Sequence, residues 1–124
     1  MQKNYIFFDF AGTLVKMRPA TLLAKRFLLE KLSKRFKLGI ITGGKRTETQ
    51  NILNKLKIQD IISIKITADD SKLRKPDGRL FPKKKSFAYI GDTKKDEFFA
   101  KNGKVPFFRV NKKYNINKII KKLL

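Results

Sequence analysis

The chain contains no cysteine and no histidine. Without cysteine there is no disulfide, no thiolate nucleophile and no cysteine-built metal site. Without histidine the commonest general base is missing, along with Ser-His and Cys-His nucleophile pairs. Hydrolytic chemistry must then rest on carboxylates, lysine, hydroxyls or a metal with oxygen ligands. Acidic residues are scarce as well: 10 Asp and Glu stand against 31 Lys and Arg, a formal charge of +21. No apolar run reaches transmembrane length and no signal peptide is visible, so a cytoplasmic location is expected.

What the chain does have suits a folded globule. Its 124 residues, 41% hydrophobic and including 11 Phe, are enough for one domain spanning residues 1–124 with a real core. The charge has two explanations. Abundant Lys, Ile, Asn and Phe fit an A+T-rich coding bias, although that does not account for so few Glu. The other explanation is a polyanionic partner, such as nucleic acid or an anionic membrane surface. The basic residues are spread along the chain, with mild enrichment at Lys83-Lys84-Lys85 and past Lys101. After Glu97 there are eight of them and no acidic side chain.

Periodicity divides the chain into alternating strands and helices. Strands are expected at Tyr5–Asp9, Leu38–Thr42, Ile61–Ile66, Phe87–Ile90 and Pro106–Val110. Helices are expected from Pro19 to about Phe36, over Thr47–Leu56, Lys94–Lys101 and Asn115–Leu124. In the last of these, Ile116, Ile119, Ile120 and Leu123 recur at i, i+3, i+4 and i+7. Strict alternation implies an α/β fold with a parallel sheet.

Chemistry-bearing residues sit just past several strands, where open α/β sheets bind ligands. Phe7-Phe8-Asp9-Phe10-Ala11-Gly12-Thr13-Leu14 runs a strand into a carboxylate and a Gly-Thr turn. Thr42-Gly43-Gly44 follows the second strand. Arg74-Lys75-Pro76-Asp77 precedes the fourth, and Gly91-Asp92-Thr93-Lys94-Lys95-Asp96 follows it. Any one of these alone reads as ordinary turn or capping chemistry. In this order the series resembles the haloacid dehalogenase (HAD) superfamily, chiefly magnesium-dependent phosphatases and phosphotransferases. The likeness covers Tyr5 to about Val110.

The resemblance implies a Rossmann-like three-layer sandwich, with five parallel strands in the order 3-2-1-4-5 and helices on both faces. Strands 1 and 4 are then neighbours at a topological switch point, and Asp9 faces Asp92 across the crevice. Two carboxylates that close repel unless a cation lies between them, and Mg2+ prefers such oxygen ligands. Carried over from the family, the metal set is Asp9, the backbone carbonyl of Ala11 and Asp92, supported by Asp96. Asp9 is the implied nucleophile. Thr42 and Gly43, with Gly12 and Thr13, are the implied phosphate contacts. Lys75, in a stretch resembling K-P-D-x-x-x-F, is the implied neutralising cation, with Lys72 in reserve.

One position departs from the family's D-x-D-G-T-L/V motif: its second Asp, the general acid/base, is Ala11 here. Such a group contributes about 10²–10⁴-fold to rate. Turnover should therefore be slow, above all in hydrolysis of an aspartyl-phosphate. Neither segment where the family inserts a cap has spare length, and Phe81–Ser86 has no room for a helix. A capless, open site suited to a large or macromolecular phosphorylated substrate follows. The alternative is a catalytically impaired relative kept as a polyanion-binding or protein-binding module.

Overall fold

The computed structural model describes residues 4–82 and 86–124. The basic run Lys83-Lys84-Lys85, half of the Phe81–Ser86 segment, lies outside the described residues. Seven strands and four α-helices follow in chain order: β1 Tyr5–Phe8, β2 Val15–Lys16, β3 Thr21–Leu22, α1 Arg26–Ser33, β4 Lys37–Ile41, α2 Arg46–Lys55, β5 Ile62–Ile66, β6 Ser86–Gly91, α3 Lys94–Asn102, β7 Phe107–Arg109 and α4 Ile116–Leu123. A 3-10 turn at Gly78–Leu80 precedes β6.

Five strands form one parallel sheet in the order β5-β4-β1-β6-β7. Counting only its members along the chain, this is the expected 3-2-1-4-5. β1 pairs with β4 on one side and β6 on the other, so its carboxyl end lies at the switch point.

The sheet is covered on both faces, and its strands read as nearly continuous apolar runs for that reason. Ile6 and Phe8 of β1, Leu38 and Ile40 of β4, and Ala88 and Ile90 of β6 pack under α1, α2 and α4. Phe7, Ile41 and Tyr89 point the other way, into a smaller cluster with Phe81, Phe99 and Ala100. Phe81 stacks on Phe99 with ring centroids 4.2 Å apart, and Tyr89 meets Phe99 edge-on at 5.1 Å. Each large apolar side chain fully buried this way contributes about 1.5–3 kcal/mol. Strand alternation puts residues 5, 7 and 9 on one side, so Asp9 continues the line of Phe7 toward the aromatic face.

The helix expected from Pro19 to Phe36 is corrected. Its first third is a hairpin: β2 and β3 pair antiparallel, Val15 with Leu22 and Lys16 with Thr21. Leu23 N–H then donates to the Leu14 carbonyl at 2.9 Å. Only Arg26–Ser33 is α-helical. The four-residue recurrence is real for Leu28 and Leu32, which are buried in α1, but Phe36 lies beyond the helix. The hairpin wins because Leu22 packs against the core from a strand, and tertiary packing overrides a weak local preference.

Candidate functional site

The carboxyl ends of β1, β4, β5 and β6 surround a crevice of about 240 Å³. Asp9, Thr42, Gly43, Thr67, Arg74, Lys75, Lys95 and Asp96 are among the residues that line it. Asp9 is held at the backbone, where its N–H donates to the Ile90 carbonyl at 2.8 Å. The end of β1 is thereby locked to the end of β6.

Lys75 is the hub of the charged groups. Its Nζ donates to Asp9 Oδ1 at 2.7 Å and stands 3.5 Å from Asp96 Oδ1. The same ammonium lies over the rings of Tyr89 (5.3 Å) and Phe99 (5.7 Å). A cation on aromatic faces between two carboxylates has little freedom to leave. Lys72, the reserve candidate, is exposed and does not line the crevice.

Asp96 is the most satisfied side chain of the group. Its Oδ1 accepts from the Tyr89 hydroxyl at 2.8 Å. Its Oδ2 accepts from the Thr93 hydroxyl at 2.9 Å and from the amides of Asp92 and Thr93, each at 3.2 Å. The Asp96 amide in turn donates to Thr93 Oγ1, closing a capping box at the start of α3. Gly91 permits this approach: a Cβ there would sit 2.6 Å from the Asp96 side chain.

Burial pushes Asp96 upward, but Lys75 and the bonds from Tyr89 and Thr93 outweigh it and hold the carboxyl below its ordinary range. At Asp9 the balance goes the other way. Burial pushes it up to about 6; Lys75 opposes the rise and Asp96 adds to it. Tyr89 is raised far above its usual value, first by burial and then by the charges of Asp9 and Asp96, so its hydroxyl stays a donor.

Asp92 completes the acidic group. One oxygen each from Asp9, Asp92 and Asp96 lies within 4.8 Å of the others. Asp92 Oδ1 accepts from the Thr13 hydroxyl at 3.0 Å. Gly12, at φ +87, makes room, because a Cβ there would lie 2.7 Å from Asp92 Oδ2. Gly12 and Thr13, the expected phosphate contacts, lie against Asp92. Their amides are used by the Val15 and Phe10 carbonyls, and Thr13 is fully buried. They shape the seat of Asp92. The donor set fits a divalent cation: three hard carboxylate oxygens converge within 4.8 Å of one another.

On the opposite lip, Thr42 Oγ1 accepts from the Gly44 amide at 3.1 Å, and Gly43 faces open space. Ala11 is exposed, in an isolated bridge with Val15. Tyr89, Phe99 and Thr93 were not singled out as site residues from the sequence. The spacing Thr93-x-x-Asp96 is a readable capping-box signal. No local pattern marks Tyr89 and Phe99, because they meet Lys75 from other elements.

The profile of haloacid dehalogenase-like hydrolases matches residues 24–110, well over half of the chain, starting beyond Asp9. Among curated proteins, no sequence matches. Several solved structures share the fold. Phosphatase Tt82 from Thermococcus thioreducens is 26% identical with a TM-score of 0.73, over 84% of this chain and 45% of that one. A HAD-superfamily hydrolase of subfamily IA from Geobacter sulfurreducens is 14% identical with a TM-score of 0.72, over 87% of each chain. YfnB from Bacillus subtilis, assigned as a HAD-hydrolase and bound to magnesium, is 13% identical with a TM-score of 0.72, over 94% of this chain and 92% of that one. With the parallel sheet and its switch-point carboxylates, these findings place the chain in the haloacid dehalogenase-like hydrolase family.

Proposed function

We propose that the chain is a Mg2+-dependent phosphohydrolase or phosphotransferase in which Asp9 takes up a phosphoryl group. The observation that carries this reading is the contact of Lys75 Nζ with Asp9 Oδ1 at 2.7 Å, inside a cluster with Asp92 and Asp96. An Asp9 oxygen attacks phosphorus, the bond to the leaving oxygen breaks, and an aspartyl-phosphate forms. Asp9, Asp92 and the Ala11 carbonyl would hold Mg2+, with Asp96 supporting from behind, its oxygens being taken by four donors and Lys75. When bound, that ion supplies charge stabilisation at the phosphoryl oxygens. Lys75 adds a second positive charge, and Thr42 and Gly43 hold the group from the α2 side.

Ala11 carries no proton to give. Acyl and aryl phosphates, whose leaving groups need none, should react best. Loss of phosphate from Asp9 should be the slow half-reaction. Between Asp9 and β4 stand only the hairpin and α1, which supports a capless crevice open to a large phosphorylated substrate. Ala11 also supports a second reading, in which the chain has lost turnover and acts as a polyanion-binding module.

The test is incubation with Mg2+ and acetyl phosphate, followed by mass spectrometry of the Asp9 peptide. A phosphate-mass adduct on Asp9, or turnover lost in Asp9→Asn, supports the enzyme. Neither adduct nor turnover in protein that binds Mg2+ overturns it and leaves the binding module.

A further inference from the structure

We propose that the loop after β7 and the outer face of α4 form a phosphodiester-binding strip for a single-stranded nucleic acid. The strand's terminal phosphate would enter the Asp9 crevice, so the proposal rests on the phosphoryl-transfer reading and names its substrate class. The strip is built around Tyr114. Lys122 Nζ lies over its ring at 4.5 Å and Lys113 Nζ at 5.5 Å. Lys118 Nζ donates to the Lys113 carbonyl at 3.2 Å. Three ammonium groups from two turns of helix and its leading loop are thus gathered at one spot. All three lysines and Tyr114 are exposed.

The means of gathering them decides what they can do. Arg26, Arg46, Arg79 and Lys75 each meet a carboxylate, whereas Lys31 and Lys37, like the lysines of the strip, lie over the rings of Phe27 and Tyr5. An aromatic ring holds an ammonium without a counter-charge. After Glu97 the sequence has eight basic residues and no acidic side chain. Among the described residues, none of the eight is salt-bridged. Their full charge remains for a partner.

The strip is anchored, and its loop starts from the end of the sheet where the crevice opens. The Val110 amide donates to the Gly91 carbonyl at 2.8 Å, so the chain leaves β7 beside Asp92. From β1 to β7 is two strand spacings, about 10 Å. Asn111 fixes the loop: its Oδ1 accepts from the amides of Lys113 (2.9 Å) and Tyr114 (2.8 Å), and its own N–H donates to the Tyr114 carbonyl at 3.0 Å. A small phosphoester would touch the crevice alone. A nucleic-acid strand with a phosphomonoester end fits both features. An anionic membrane fits less well, because Ile116, Ile119 and Ile120 of α4 are buried against the core and offer no apolar face to a bilayer.

The test uses fluorescence anisotropy of an oligothymidylate of about 12 nucleotides, labelled at one end and phosphorylated at the other. Three phosphate contacts predict a log–log salt slope of about −2, at about 0.7 per contact. The double variant Lys113→Ala, Lys122→Ala should flatten that slope by about 1.4 units. Tyr114→Ala should weaken binding about 5-fold or more, and Tyr114→Phe, which keeps the ring, should bind like the parent. Phosphoryl uptake from acetyl phosphate should be unchanged in all three variants. If the double variant binds the oligonucleotide with the parent's affinity and slope, the strip is wrong. It is equally wrong if phosphatidylserine vesicles bind and the oligonucleotide does not. Predicted binding without any phosphoryl uptake would keep the strip and remove the catalytic reading, so the two fail separately.

Discussion

Asp9 and Asp96 share one ammonium group and are driven in opposite directions. Lys75 reaches both, at 2.7 and 3.5 Å. Asp96 also receives a hydroxyl bond from Tyr89, another from Thr93 and two backbone amides, and it titrates below its usual range. Asp9 is buried with less support and is pushed up to about 6. Environment, not residue type, makes one carboxylate a fixed structural charge and leaves the other exposed to reaction. A nucleophile needs the second condition and a scaffold needs the first.

Removing Asp9 should break the comparison most severely. Asp9→Asn should abolish phosphoryl uptake, lowering turnover of acetyl phosphate by at least about 10⁴-fold. A variant that still turns over would exclude Asp9 as nucleophile. The same substitution should stabilise the metal-free protein. Because Asp9 titrates higher in the folded state, its contribution is full below about pH 4 and is lost as pH rises to about 6. Urea melts should show the parent losing on the order of 2 kcal/mol over that interval relative to Asp9→Asn. Mg2+ should restore it at pH 7 and do less at pH 5.

Next comes the shared cation. Lys75→Met keeps the length of the side chain and removes the charge, and should slow phosphorylation of Asp9 by about 10²–10³-fold. Stopped-flow rates with an aryl phosphate would measure it, and a change under threefold would exclude a role in charge neutralisation. Ala11→Asp tests the missing proton-transfer group from the opposite side. Dephosphorylation of phospho-Asp9 should rise by about 10²-fold. An unchanged rate would mean that position 11 is not aimed at the leaving group.

The smallest effect should come from the Asp96 side. Thr93→Ala removes the N-cap hydroxyl and half of the capping box, and should cost about 1 kcal/mol. Asp96 titrates low, so its contribution is present above the unfolded value near 4 and is lost as pH falls. The gap between parent and Thr93→Ala should therefore narrow below about pH 4. A gap independent of pH would show that the cap does not act through the Asp96 charge.

The position of each carboxylate was legible because it follows an apolar strand. Four of the five sheet strands were also readable as continuous runs too short for helices, and the fifth, at Phe107–Arg109, proved shorter than its sequence suggested. The hairpin at Val15–Leu22 was not legible. Two-residue strands carry almost no periodic signal, and Leu28 and Leu32 lent the region a helical look. Gly12 and Thr13 were implied as phosphate contacts by the family resemblance alone. The bond from Thr13 to Asp92 depends on a strand end 79 residues away.

Strand-helix alternation, carboxylates at strand ends and a large excess of lysine belong to the sequence alone, since each is a matter of residue type and spacing. Three things waited for the tertiary structure. It selected Lys75 over Lys72, separated Asp9 from Asp96 in proton affinity, and collected Lys113, Lys118 and Lys122 around Tyr114. Coulomb interaction, desolvation and ring contact fall off over a few ångströms, and distances on that scale are set by packing, not by order along the chain.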